Sequence, residues 1–223
     1  MSKKARKHKR ILIEIYDTLY NAFGPQQWWP GETPFEVAVG AILTQNTSWG
    51  NVEKAINNLK RNRVFRINTL HKMQNKQLAS LIKPAGYFNI KAKRLKEFMN
   101  FLVSNYRGSM KKMRTEDTQL LRDRLLSVNG IGPETADSIL LYALEKPVFV
   151  IDTYTKRIMH RHKLVADKTT YHEFQALFHE NLPQNTRLFN EYHALLVKLG
   201  KDYCKTRPKC RECPLKGAEV IKL

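Results

Sequence analysis

VNGIGPETADSILLYALEKPVFVIDTYTKR, residues Val128 to Arg157, holds three signals in close succession. Gly130 and Gly132 bracket Ile131, a composition suited to a tight turn in which the backbone can approach a ligand without a Cβ in the way. Pro133 suits the first position of a helix, where its missing N–H is not needed, and a helix-compatible run continues to Ala143. Such a turn leaves free backbone amides at the positive end of a helix, a place that attracts anions. The apolar run Val148-Phe149-Val150-Ile151 follows, and then Asp152 stands ahead of the polar stretch Thr153 to Arg157. Taken alone, Asp152 reads as a helix N-cap, a role that does not stop a carboxylate from facing a cleft. A Gly-x-Gly turn taken alone occurs in many loops, so its surroundings decide its meaning.

The surroundings are basic. Lys plus Arg outnumber Asp plus Glu by 39 to 20, giving a net charge of +19. On such a chain the natural anion is a nucleic-acid phosphate, with a generally basic protein as the plainer alternative. The 223 residues make one large domain or two small ones, and 42 % apolar residues allow a real core. No apolar run reaches the roughly 18 residues of a membrane span. Glu14 and Asp17 interrupt any signal-peptide core after Ile11-Leu12-Ile13, so no membrane is expected and the cytoplasm is the expected compartment. Ser2 to Arg10 reads as a flexible basic arm that touches phosphates, or as a solvated tail. The three cysteines, Cys204, Cys210 and Cys213, sit together instead of being spread as in an oxidised secreted scaffold, which favours a local metal or cluster site.

Helical periodicity dominates the rest. Helices are expected over Ile11 to Phe23, Phe35 to Leu43, Val52 to Asn62, Thr69 to Ile82, Ile90 to Tyr106, Glu116 to Val128, Thr153 to His162, Tyr171 to Asn181 and Leu188 to Tyr203. Val148 to Ile151 is β-branched and aromatic but too short and isolated to build a sheet. The chain therefore reads as all-α with short loops.

The Val128 to Arg157 stretch resembles the helix-hairpin-helix DNA glycosylases, the superfamily that includes endonuclease III. The resemblance implies a two-lobed helical bundle with a C-terminal cysteine loop. It places an N-terminal arm and helix (residues 1–29) with a C-terminal lobe (148–223), and a hairpin-bearing lobe at 30–147. It implies that Gly130, Ile131, Gly132 and Thr135 grip the DNA backbone and that Asp152 lies beside the sugar of the flipped nucleotide. Lyase members carry a nucleophilic lysine two residues after the second hairpin glycine. Here that residue is Glu134, which cannot form a Schiff base, although an amine from elsewhere, such as Lys156, remains open.

Further segments extend the likeness. Gly40 to Thr47, GAILTQNT, is similar to the family segment whose glutamine fills the gap left by the flipped base, which makes Gln45 that residue; a polar helix end is the alternative. Pro84 to Arg94, PAGYFNIKAKR, is similar to a DNA-contacting segment, with Lys91, Lys93 and Arg94 as phosphate contacts or a solvated basic face. All three tryptophans lie within residues 28–49. Together with the LTQNT segment they resemble a bacterial 3-methyladenine glycosylase subgroup, in which Trp28, Trp29, Pro30 and Trp49 would line a base pocket. A π-rich pocket suits a positively charged methylated purine, and packing between lobes is the competing role.

Cys204-x5-Cys210-x2-Cys213 is similar to the family loop that holds a [4Fe–4S] cluster on four cysteines. The first gap is one residue short, and Glu219 stands at the fourth position. The expectation is a monomeric, monofunctional base-excision glycosylase on double-stranded DNA, associated with the nucleoid. An endonuclease III-type lyase for oxidised pyrimidines and a non-catalytic DNA-binding iron–sulfur module are the alternatives.

Overall fold

The computed structural model describes residues 3–28 and 31–216. Among these there are twelve α-helices and no strand, the all-α class expected. They fall into two compact units, residues 29–146 and residues 1–28 with 147–223.

The first helix, α1 (Lys3–Phe23), belongs to the discontinuous unit. Ile11, Leu12, Ile15 and Leu19 are buried, the spacing of one helical face. The helix runs back to Lys3, so the described part of the basic arm is helical and not the flexible segment expected. Lys, Arg and Ala are good helix formers, no Gly or Pro interrupts them, and elongation from an anchored turn costs little once that turn exists.

In the continuous unit, α2 (Pro34–Leu43) is capped by the Thr33 side chain on the Glu36 amide and is buried from Phe35 to Leu43. A helix that is apolar all round belongs in the centre, and α2 packs against α3 (Trp49–Arg61) and three later elements. The expected helix over Thr69 to Ile82 is two helices, α4 (Ile67–Lys72) and α5 (Asn75–Leu81), with Met73 and Gln74 extended between them. The break is stabilised from outside. Lys96 Nζ donates to the carbonyls of Leu70 and Met73 at 3.3 and 2.9 Å, and to that of His71, satisfying the orphan end of α4. Lys96 rises from α6 (Phe88–Tyr106), which follows a 3-10 turn at Lys83–Ala85. Next come α7 (Met110–Arg114), α8 (Thr118–Leu126) and α9 (Pro133–Ser138), the last running into a π turn at Ile139–Ala143.

The discontinuous unit is completed by α10 (Thr153–Arg161), α11 (Tyr171–His179) and α12 (Thr186–Asp202), with α12 packed on α1 and α10. Tyr192 on α12 donates its hydroxyl to the Leu12 carbonyl of α1 at 2.8 Å. Phe149 stacks on Phe178 with ring centroids 3.7 Å apart and meets Phe189 and Tyr192 edge-on. Val148 to Ile151 is buried and lies in neither helix nor strand, so its backbone polar groups need other partners. One face of α11 provides three of them. His179 Nε2 accepts the Phe149 amide at 2.9 Å, Gln175 donates to the Phe149 carbonyl at 2.8 Å, and the Tyr171 hydroxyl accepts the Ile151 amide at 3.3 Å. These three residues recur every four positions and act as a side-chain substitute for a neighbouring strand.

Candidate active site

The turn between α8 and α9 has a buried pin and an open tip. The Ile131 amide donates to the Val128 carbonyl at 3.0 Å and the Ile131 side chain is only 4 % exposed. Gly130 has φ +87, and a Cβ on it would stand 2.3 Å from Arg94 Cγ, so glycine is required by both backbone and packing. Gly132 differs: its φ of −91 suits any residue, and a Cβ there would meet nothing within 4 Å. Glycine at 132 keeps space open above the start of α9. Behind the turn, Arg122 of α8 donates Nε and Nη2 to the Asp137 carboxylate of α9 at 2.7 and 3.1 Å in a buried, two-pronged pair that ties the helices together.

Gln45, just past the end of α2, is folded onto this turn. Its Nε2 donates to the Gly130 carbonyl at 3.1 Å and to Thr135 Oγ1 at 2.9 Å, while its Oε1 accepts from Arg94. Three residues expected to contact DNA, Gln45, Gly130 and Thr135, are thus brought together, and Arg94 joins them from α6. Thr135 is buried, so its hydroxyl supports Gln45 from within and does not face a phosphate, contrary to expectation. The buried Ile131 side chain likewise serves as an anchor.

Lys91 is a clearer correction. It is 1 % exposed and donates to the Leu43 and Ala85 carbonyls at 2.8 and 2.7 Å, which excludes it as a surface phosphate contact. Burial, with Arg94 nearby, brings its amine down to about 8. The ammonium pins the end of α2, where Gln45 follows, to the Lys83–Ala85 turn, where Gly86 and the exposed Tyr87 follow. Lys93 is exposed and remains available to a polyanion.

Trp49 opens α3 and is half-buried. In the other unit Trp28 is half-buried, and Lys201 Nζ lies 5.3 Å from its ring centroid, so that aromatic face already attracts a cation. Trp29 and Pro30 lie outside the described residues.

Asp152 ends the buried segment held by α11 and caps α10. Oδ1 accepts the Thr155 amide at 2.7 Å, and Oδ2 faces His193 Nε2 of α12 at 3.6 Å. The residue is 9 % exposed. Burial alone pushes its carboxyl up, but the charge and hydrogen bond of His193, helped by the Thr155 amide and hydroxyl, outweigh it and hold the group below the usual carboxylate range. Asp152 is therefore an ionised carboxylate in a nearly dry setting, where it can stabilise positive charge far better than in water. His193, Tyr171, Gln175 and His179 were not picked out from the sequence. The readable trace of the last three is their four-residue spacing on an otherwise apolar helix face.

The cysteine loop is held by two arginines of α10. Arg157 donates to the Cys204 and Gly200 carbonyls at 2.6 and 3.0 Å, and Arg161 donates to Cys204 Sγ at 3.3 Å and to the Lys205 and Thr206 carbonyls at 2.5 and 3.0 Å. Cys204 is buried, Cys213 half-buried and Cys210 exposed, and burial together with the two neighbouring sulfurs pushes the Cys213 thiol up. Among the described residues no three side chains are grouped so as to hold a metal ion. Glu219 lies outside them. The three cysteines alone fall one short of the four thiolates that a [4Fe–4S] cluster takes.

Comparison with known proteins identifies the family. Residues 39–184 match the model of the HhH-GPD superfamily of base excision DNA repair proteins. A Methanocaldococcus jannaschii protein, provisionally named a DNA repair glycosylase, is 47 % identical over 92 % of this chain and 94 % of its own length. Endonuclease III of Thermotoga maritima is 33 % identical over 82 % of this chain and 81 % of its own. The H. pylori 3-methyladenine DNA glycosylase MagIII, solved with 1,N6-ethenoadenine, superposes with a TM-score of 0.75 at 28 % identity, covering 87 % of this chain and 97 % of that one. An endonuclease III–DNA complex shares the fold at a TM-score of 0.79 and 19 % identity, over 96 % of this chain and 99 % of that one.

Proposed function

The chain belongs to the HhH-GPD superfamily of base excision DNA repair proteins, and from that membership we propose that it hydrolyses the glycosidic bond of a flipped alkylated purine, such as 3-methyladenine, without cutting the strand. The coarser statement, a DNA glycosylase of base excision repair with DNA as its partner, follows from the family itself. The observation that carries the finer reading is an ionised, buried Asp152 combined with Glu134, an exposed carboxylate, at the position where a lyase carries its amine.

Flipping costs a few kcal/mol of stacking and pairing, less for a damaged base. As the C–N bond breaks, the sugar gains oxocarbenium character. Asp152 stabilises that charge and orients the attacking water, and the water oxygen bonds to the sugar carbon as the base departs. A methylated purine carries a positive charge and leaves as a neutral base, so no second acid is needed. An aromatic face such as that of Trp28, which attracts the Lys201 ammonium, suits a cationic lesion, and the likeness to a 3-methyladenine glycosylase supports it. The protein acts as a monomer.

The test is incubation with duplexes carrying methylated purine, oxidised pyrimidine or an abasic site. Release of methylated purine, with strand scission only after alkali, is the expected result, and loss of that release in Asp152→Asn ties it to the carboxylate. The Thermotoga maritima relative favours a second reading, a glycosylase with lyase activity. Its amine would have to come from elsewhere, for instance Lys156, whose Nζ lies 5.6 Å from the centre of the Tyr171 ring. Direct scission trapped by borohydride would replace the first reading with the second.

A further inference from the structure

Asp152 has two oxygens with different duties. Oδ1 is committed to the end of α10 through the Thr155 amide at 2.7 Å. Oδ2 faces His193 Nε2 at 3.6 Å, within ion-pair range. His193 is 4 % exposed, and its ring meets Phe149 edge-on at a centroid distance of 6.4 Å and an interplanar angle of 83°. Phe149 is itself clamped by Phe178, so the imidazole sits in a packed slot that fixes its direction. An imidazole nitrogen that faces a carboxylate oxygen must carry a proton, because two lone pairs would repel. His193 therefore offers an Nε2–H toward Oδ2.

We propose that His193 is the positioning residue of the glycosylase reaction: from α12 it fixes the plane of the buried Asp152 carboxylate. The inference rests on the assignment of Asp152 as the catalytic carboxylate. With the Thr155 amide on one oxygen and the imidazole facing the other at ion-pair distance, the carboxylate is restrained about its side-chain torsions. The remaining lone pairs keep a constant direction toward the developing sugar cation. Without the imidazole, burial would dominate, and the carboxyl would hold its proton to higher pH.

The other titratable groups on the packed elements have different commitments. On α10, Lys156 lies over the Tyr171 ring. On α11, the Tyr171 hydroxyl accepts the Ile151 amide, and His179 Nε2 accepts the Phe149 amide, which makes that nitrogen an acceptor and not a proton carrier toward Asp152. On α12, the Tyr192 hydroxyl is bound to the Leu12 carbonyl. Among these described groups, His193 is the one that faces the carboxylate.

The test compares the native chain with His193→Met, which has no donor, His193→Gln, which keeps a neutral N–H, and Asp152→Asn. Single-turnover release of methylated purine is followed from pH 5 to pH 9, together with affinity for an abasic-site duplex. In His193→Met the rate at neutral pH falls by about 10²-fold, the scale of a misplaced catalytic group, while DNA affinity is kept. The acid limb of its pH profile moves to higher pH. His193→Gln recovers part of the rate but retains an upward-moved acid limb, because it offers an N–H donor and not the charge. If Asp152→Asn is inactive while both His193 variants keep the native rate and acid limb, this inference fails alone. If Asp152→Asn remains active, the catalytic assignment beneath it fails. Should His193→Met not fold, the acid limb of His193→Gln decides: moved upward supports the proposal, unmoved overturns it.

Discussion

Replacing either hairpin glycine by alanine separates the packing role of the turn from its contact role. At Gly130 the backbone has φ +87, where an L side chain costs about 1–2 kcal/mol. The new Cβ would also stand 2.3 Å from Arg94 Cγ and 2.8 Å from Cδ, so Arg94 must move. Moving it breaks the charged hydrogen bond to Gln45, worth about 1.5–3 kcal/mol. Gly130→Ala should therefore lose about 3 kcal/mol, a large share of the roughly 5–15 kcal/mol that holds a domain together. At Gly132 neither cause exists: φ is −91 and the space is empty within 4 Å. Gly132→Ala should stay within about 0.5 kcal/mol of the native stability. Its Cβ would instead intrude where a phosphate approaches the amides at the start of α9, weakening DNA binding by at least about tenfold. Urea unfolding measures the first quantity, and fluorescence anisotropy with an abasic-site duplex at fixed salt measures the second. Equal destabilisation of the two variants, or native DNA affinity in Gly132→Ala, would refute the argument.

Two further outcomes follow from buried charges. Lys91 has a folded-state value of about 8 against 10.5 ordinarily, so between those values the unfolded chain binds a proton that the native chain has released. Native stability should therefore rise with pH across that window by up to about 3 kcal/mol relative to Lys91→Met, at about 1.4 kcal/mol per pH unit; urea midpoints that run parallel for the two proteins from pH 7.5 to pH 10.5 would contradict it. Arg122→Met removes the guanidinium from the fully buried Asp137 carboxylate and should cost about 3–5 kcal/mol, whereas Arg122→Met with Asp137→Leu should recover most of that loss in the same unfolding assay.

Periodicity and composition were enough for the all-α class, because a helix buries one face of its own sequence and that face recurs locally along the chain. Gly130-Ile131-Gly132, Glu134 and Asp152 were legible for a similar reason, since turn geometry and helix ends are set by a few adjacent residues. The break at Met73 and Gln74 was not legible, because it depends on Lys96, more than twenty residues further on. Nor was the burial of Lys91, which from sequence is one more cation in a basic run. Nothing local reveals that it meets two carbonyls at the ends of other elements.

The primary sequence thus determined the helical class, the family and the identity of the candidate carboxylate. Tertiary structure alone decided what surrounds that carboxylate: the α11 side chains that bond the backbone of Phe149 and Ile151, and His193 beside Oδ2. The physical reason is distance along the chain. Turn and helix propensities act over a few residues, while the charge state of a buried acid depends on groups that meet it only once the core has formed.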